Sequence, residues 1–481
     1  LLMYYINRSL FREGADTFDR LAGMIKNHQG ENEMFWRTRV FQSWLLSRMG
    51  NYAEAWDYSA RAEAYFKKHN ITIEMRYVKM MQGDYAASVA YAQEALSYAP
   101  QSRQEQMAWY MSNGNWGYAE FLRGNQQQAL QIYEDIVRRM RALEDYSPNG
   151  MGYMLNNLGE ILRGLGRMDE ALGLFQEAYT IFEASNIKRG MAFTLNNIGG
   201  IQIAREDAVV AHSYYQRAYD LHKEIGDLNG LAHSISALGN NEMFLGNAKE
   251  AKIYFDKSLS IRKKIGERRG IADSLGDLGR VYALMGDFSA ALNHFQEAKA
   301  IYRDIQELDG LSGALANVAS TQAILGQIEN AYKTLEEVSE LAERLNSTFA
   351  RLLVVFLSAE LAILENRLDD AEKLTRNLLS EYRSELTLTI NLLILGQKAE
   401  ILAKQGDLEG ALEILLVFRA SGDKAQGFLR MFAPFVLEQI EKLEANLTKN
   451  MPSEVRSRIE KTLNTQTVES LMGKYYGANV R

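Results

Sequence analysis

Apolar positions recur along the chain in a helical rhythm. Leu155, Leu158 and Leu162 fall at three- and four-residue spacing, and after a turn at Gly166-Arg167 the same spacing carries Ala171, Leu174, Phe175 and Ala178. That pattern predicts two amphipathic helices, each burying one stripe. The pair then returns every forty residues. Leu155-Asn156-Asn157-Leu158-Gly159 is matched by Leu195-Asn196-Asn197-Ile198-Gly199, and Ala171 by Ala211, Ala251, Ala291, Ala331, Ala371 and Ala411. Phe175 is echoed by Tyr215, Phe255 and Phe295, after which the position decays to Leu335, Thr375 and Leu415. Self-similarity at such a period marks a solenoid, so the expected fold is all-α, built from stacked antiparallel helix pairs.

Small residues have a place in this pattern. Gly159 and Ala171 stand where two helices cross closely, and in later repeats Ala319, Ala359 and Ala399 keep the glycine site small while recovering helix propensity. The series Gly190, Gly230, Gly270 and Gly310 is expected to end each connection as a helix stop with positive φ. Turns at Gly50-Asn51, Gly83-Asp84 and Gly124-Asn125 are irregularly spaced; from Gly166 onward they fall forty residues apart. Leu1 to Lys26 reads as a helix pair turning at Arg12-Glu13-Gly14, and the apolar run Leu352 to Leu357 as a helix either deeply buried or covered by a partner. At the far end, Gly427 to Leu447 predicts one longer helix, with two shorter ones over Val455–Leu463 and Val468–Tyr476. The predicted organisation is a repeat superhelix over 1–420, irregular to 150 and regular over 151–420, closed by a helical cap over 421–481. A solenoid needs such a cap over its last apolar face.

Composition narrows the function. Lys and Arg total 54 against 61 Asp and Glu, a net charge of −7, which disfavours nucleic acid as a main ligand. There are no cysteines, so disulfides, thiolate metal sites and cysteine nucleophiles are excluded. No run approaches the roughly 18 apolar residues of a membrane span. The six histidines lack the His-Glu-x-x-His spacing and no phosphate-binding loop is present. The expectation is a cytoplasmic, non-catalytic protein with no cofactor and no metal. The first residue is Leu, which suggests a portion of a longer polypeptide.

The Leu-x-x-Leu-Gly, Gly-Asp/Asn and Ala-x-x-x-Phe-x-x-Ala elements resemble the tetratricopeptide repeat. The family's usual period is 34, and its closing proline is absent here. Forty-residue units look like those of the maltose-regulon activator, kinesin light chains and Leu-Gly-Asn-repeat polarity adaptors. The resemblance implies a right-handed superhelix whose first helices line a concave side and contact ligand. One position on those helices is held by Asn115, Asn157, Asn197, Asp277 and Asn317, with Ala237 interrupting and Gln397 a late echo. Asparagine carries donor and acceptor, so such a row is suited to pair with the backbone of an extended peptide; it would equally bond to a neighbouring repeat. Beside it run Tyr153, Phe193, His233 and Asp273 on one line, and Glu160, Asn240, Arg280 and Ser320 on another, mixed in charge. With repeats about 10 Å apart, the row from Asn157 to Asn317 would span about 40 Å, or about twelve extended residues.

The opening Leu-Met-Tyr-Tyr-Ile-x-x-Ser-Leu-Phe-Arg-Glu-Gly-Ala-x-x-Phe and the closing Val455 to Gly477 are similar to the ends of sensor arms in signal-transduction ATPases with numerous domains (STAND proteins). That resemblance implies an inducer-sensing arm, with a protein or peptide ligand and an upstream ATPase module as partners. A constitutive scaffold or cargo adaptor is the alternative; a phosphate-binding loop followed by winged-helix segments upstream would separate them.

Overall fold

In a computed structural model of the chain, residues 11–48, 52–69, 114, 116–117, 120, 126–142, 146, 148–205, 207–305, 307–345, 348–381, 388–420, 427, 429–431, 433–462 and 467–477 are described. Among them the regular structure is α-helix, with no strand. Three opening helices, α1 (Phe11–Gln29), α2 (Glu33–Arg48) and α3 (Tyr52–Lys68), precede α4 (Gln126–Arg141). Then come the regular pairs: α5 (Pro148–Gly164) with α6 (Met168–Ala184), α7 (Lys188–Ala204) with α8 (Ala208–Ile225), α9 (Leu228–Leu245) with α10 (Ala248–Ile265), and α11 (Arg268–Leu284) with α12 (Phe288–Asp304). The series continues as α13 (Leu308–Ile324) with α14 (Ile328–Leu345), α15 (Thr348–Leu364) with α16 (Leu368–Glu381), and α17 (Leu388–Gln405) with α18 (Leu408–Ala420). Three helices follow: α19 (Pro434–Asn450), α20 (Ser453–Thr462) and α21 (Val468–Tyr476). This is the all-α solenoid of helix pairs that the forty-residue pattern implies.

Within a pair, the crossing depends on a missing side chain. A Cβ on Gly159 would lie 2.5 Å from a ring carbon of Phe175, and Gly199 with Tyr215, Gly239 with Phe255 and Gly279 with Phe295 repeat the arrangement. Where the aromatic shrinks, the glycine is replaced: Ala319 shares an apolar cluster with Leu335, and Ala399 with Leu415. The two changes compensate in volume, as close-packed interiors require.

Two expectations about glycine and two about helix bounds need correction. Gly190, Gly230, Gly270 and Gly310 are not helix stops; they sit in the first turn of α7, α9, α11 and α13. Left-handed backbone in these connections falls four residues earlier, at Asn186, Gly226 and Gly266. What the Gly190 series provides is room, since a Cβ there would collide with Phe182, His222, Arg262 and Tyr302 respectively. Gly14 lies inside α1, which runs unbroken from Phe11, so no turn occurs at Arg12-Glu13-Gly14. The helix expected over 427–447 is interrupted at Ala433, where Pro434 opens α19; the fixed proline φ suits a first helical position and cannot continue a preceding helix. The turns at Gly50, Gly83 and Gly124 lie outside the described residues.

The chain forms two compact units, Leu1–Leu238 with Lys257–Ile271, and Gly239–Asp256 with Ala272–Arg481. In the first, Phe35, Trp36, Val40, Ala62 and Phe66 close a small core among α1 to α3, and Ala15, Phe18, Leu45, Leu46 and Ala55 pack with Ile265. The larger core runs from Ala129 to Ile201. In the second unit the main core joins α17 and α18 to Leu429, Val436, Leu437, Ile440, Ile459, Val468, Leu471 and Met472. The residues after 427 thus cover the apolar face of the last repeats. Half-buried Val355 and Phe356 pack on the same core, so the run from Leu352 is buried in part by the chain itself.

Candidate functional site

In the first unit the two asparagines of the Leu-Asn-Asn-Leu stretch have different surroundings. Asn156 and Asn196 are each 5% exposed and tie one first helix to the next. Asn156 Nδ2 donates to Thr194 Oγ1 at 2.8 Å, and Asn196 Nδ2 to Ser234 Oγ at 3.0 Å. Asn157 and Asn197, one residue on, are half-exposed. Each uses its amide on a long contact, Asn157 Nδ2 with Tyr133 Oη at 3.3 Å and Asn197 Nδ2 with Asn156 Oδ1 at 3.5 Å. Among the described residues, the side-chain oxygen of neither accepts a hydrogen bond. Bonding to a neighbouring repeat and an outward acceptor therefore occur together on one side chain.

Beside them lie the residues of the adjoining lines. Tyr153 is half-buried, with its ring edge-on to Phe182 at 5.1 Å, and burial pushes its phenol pKa up. Phe193 is half-buried between the Arg189 guanidinium, 5.0 Å above its ring, and the edge of His222 at 5.3 Å. Exposed His233 approaches Asn196 at 3.3 Å. Glu160 pairs with Arg163 at 2.7 Å. Asn115 lies outside the described residues.

Sequence reasoning missed the charged group beneath this face. Arg189 Nε donates to Asp227 at 3.0 Å, and fully buried Asp227 also accepts from the Gly230 amide at 3.0 Å, capping α9. His222 is fully buried, its Nδ1 2.9 Å from Ser234 Oγ. Burial holds its pKa down at about 4, so the ring is neutral and the patch carries Arg189 and Asp227 as a balanced pair. The forty-residue series Phe182, His222, Arg262 and Tyr302 was the available signal, because a position that mixes aromatic residues with a histidine and an arginine beside a recurring glycine is unusual for a plain core.

In the second unit Asn240 and Asn317 are half-exposed. Asp277 is 7% exposed and ion-paired with Arg280. These two predicted contacts satisfy one another rather than standing open side by side. Asp273 accepts from Tyr302 Oη at 2.5 Å. Ser320 is buried, and the same register continues through Glu360 and Glu400. Among the described residues no group of three or more His, Asp or Glu is placed to hold a metal ion, and no helix is long and apolar enough to cross a membrane.

Consecutive helix pairs that repeat one outward face define a helical-repeat scaffold, the class whose extended surfaces serve binding. Residues 150–224 and 231–304 match the family described as tetratricopeptide repeat. Over those residues the chain carries tetratricopeptide repeats. Among solved structures it is similar to aspartyl phosphate phosphatase F from Bacillus subtilis, at 12% identity over 73% of this chain and 92% of that one, with a TM-score of 0.49. It is also similar to a STAND protein with a tetratricopeptide repeat sensor from Pyrococcus horikoshii, at 14% identity over 75% of this chain and 55% of that one, with a TM-score of 0.45. A third is BtubC (BKLC) from P. vanneervenii, at 20% identity over 47% of this chain and 90% of that one, with a TM-score of 0.38. No curated protein sequence matches the chain.

Proposed function

We propose that the chain is a non-catalytic binding module whose first-helix face holds an extended segment of a partner protein or peptide. One observation carries this reading: Asn157 and Asn197 stand one repeat apart, half-exposed, with side-chain oxygens that accept no hydrogen bond from the described residues. Helix interiors disfavour exposed asparagine, whereas a carboxamide repeated along a surface can meet successive backbone N–H groups of a strand. Tyr153, Phe193 and His233 flank the pair with aromatic surface, and in the second unit Asn240 and Asn317 stand half-exposed on the lines of Glu160 and Asn157. The resemblance of the chain's two ends to STAND sensor arms supports an inducer as ligand and an ATPase module of the same polypeptide as the element controlled. The experiment is capture of partners on the purified chain, identification by mass spectrometry, and titration of the partner's binding segment. Asn157→Ala with Asn197→Ala should weaken affinity at least tenfold while leaving the melting temperature nearly unchanged. Undiminished affinity would overturn the reading.

A further inference from the structure

The forty-residue register places Ser320 on α13, Glu360 on α15 and Glu400 on α17 at one position of three successive first helices. Glu360 is only 5% exposed, and neither of its carboxylate oxygens makes a hydrogen bond of normal geometry. Its near neighbours are the Ser320 hydroxyl and the Glu400 carboxylate, the second of like charge. Glu400 itself remains half-exposed and so connects the group to solvent. Basic residues of the same region are engaged elsewhere. Lys398 and Arg376 pair with Glu372 at 2.8 and 3.0 Å, and Arg367 with Glu365 and Asp370, both at 2.8 Å. Lys404 acts on Glu400. A carboxyl buried beside one hydroxyl and a like charge, with no counter-ion, is costly, and a leucine or methionine would fill the same space without that cost.

We propose that Glu360, with Glu400 and Ser320, forms a receptor for a lysine or arginine side chain of a partner segment bound along the first helices of the second unit. This assignment rests on the peptide-binding reading and adds the chemistry of the partner at this end of the second unit. Two carboxylates and a hydroxyl suit the several N–H donors of a guanidinium or ammonium group. The net charge of −7 favours approach of such a cation. Unliganded, the Glu360 carboxyl is pushed up to about 8 by burial and by Glu400, so it is mostly protonated at neutral pH. An arriving cation favours the ionised form, and binding should release a proton. The charged groups facing Glu360 are Glu400 and, through it, Lys404.

The test is calorimetric titration of the whole chain at pH 7 and low salt with acetylated, amidated hexa-arginine. Hexaglutamine serves as the uncharged control. Saturable binding of hexa-arginine is expected, weakened at least tenfold by Glu360→Gln and likewise by Glu400→Gln. It should be unchanged by Glu336→Gln with Glu340→Gln, two exposed carboxylates of α14. The heat should depend on the ionisation enthalpy of the buffer, reporting a proton released, and Glu360→Gln should abolish that dependence. Glu360→Gln is isosteric and should melt no lower than the parent; were it to misfold, Glu400→Gln carries the same comparison. No saturable binding, equal loss in the α14 variant, or full affinity in both receptor variants would overturn the proposal. The Asn157→Ala, Asn197→Ala double variant should leave hexa-arginine binding intact, so failure of the receptor and failure of the wider binding reading give different results.

Discussion

Gly276 and Gly279 lie three residues apart on α11, and replacing each with alanine should have opposite effects. At Gly279 a Cβ would stand 2.5 Å from Phe295 Cε1, about 1 Å inside ordinary carbon contact. Phe295 is fully buried and shares its cluster with Ala283, Ala291 and Leu292, so its ring has little freedom to retreat. Overpacking of this kind costs about 1–3 kcal/mol, and the helix propensity of alanine offsets up to about 1 of that. The net expectation for Gly279→Ala is a loss of about 1–2 kcal/mol. At Gly276 nothing lies within 4 Å of the added methyl, so Gly276→Ala should gain about 0.5–1 kcal/mol from propensity alone. The relief of the clash can be tested by adding Phe295→Leu, which copies the pairing seen at Ala319 and Leu335. The doubly substituted chain should be less destabilised than the sum of its single changes by at least about 1 kcal/mol. Urea unfolding followed by far-ultraviolet circular dichroism supplies the free energies, and hydrogen exchange over residues 272–304 localises them should the array unfold in stages. If Gly279→Ala proved as stable as Gly276→Ala, ring-on-glycine contact could not be the reason the residue is there.

Other predictions concern polar groups and helix ends. His222 has a folded pKa near 4, below the ordinary histidine value. Its contribution to stability is therefore intact above about pH 6.5 and is lost as pH falls toward 4, because the unfolded chain takes up the proton first. Melting temperatures measured from pH 7 to 4 should show a smaller decline for His222→Phe, the residue type found at the matching position 182. Asn156→Ala should cost about 1–3 kcal/mol by breaking a buried bond and leaving the Thr194 oxygen without its donor, although that hydroxyl still donates to the Gly190 carbonyl, whereas Asn157→Ala should stay within about 0.5 kcal/mol; thermal denaturation of the two variants distinguishes a structural from an outward asparagine. Arg430 Nη1 donates to the Phe244 carbonyl at 3.0 Å at the end of α9, so Arg430→Ala should speed amide exchange in that last turn, and unaltered exchange would show the bond is not formed in solution.

The repeated architecture was legible because it is written many times over. Ala171 and its successors at forty-residue steps fix the register without any knowledge of packing, and Gly159 facing Phe175 follows from two helices crossing at their smallest residue. The phase of a helix also separates half-exposed Asn157 and Asn197 from their buried neighbours. What could not be read was the rotation between successive repeats, which buries Asn156 and Asn196 against the next first helix although they adjoin the outward pair in sequence. Arg189 and Asp227 were missed for the same reason: Asp227 recurs as Glu267 and Glu307, but the 38-residue offset that joins it to Arg189 is set by how successive repeats pack. Glu360 and Glu400 were within reach, as the line through Ser320 needed only to be followed two steps further. The contact of Gly427 with Phe244 left no local trace at all.

That last contact alters how the second unit should come apart. A linear stack loses its terminal repeat first and then the next, like a zip opened from one end. Here Arg430, three residues on from Gly427, also grips Phe244, 186 positions before it, which closes a long loop and must form late in folding. Once formed, it makes the outermost repeats a poor starting place for unravelling. A protease presented with the intact molecule should then yield either uncut chain or small fragments, with few of the staircase intermediates that an untethered array would give.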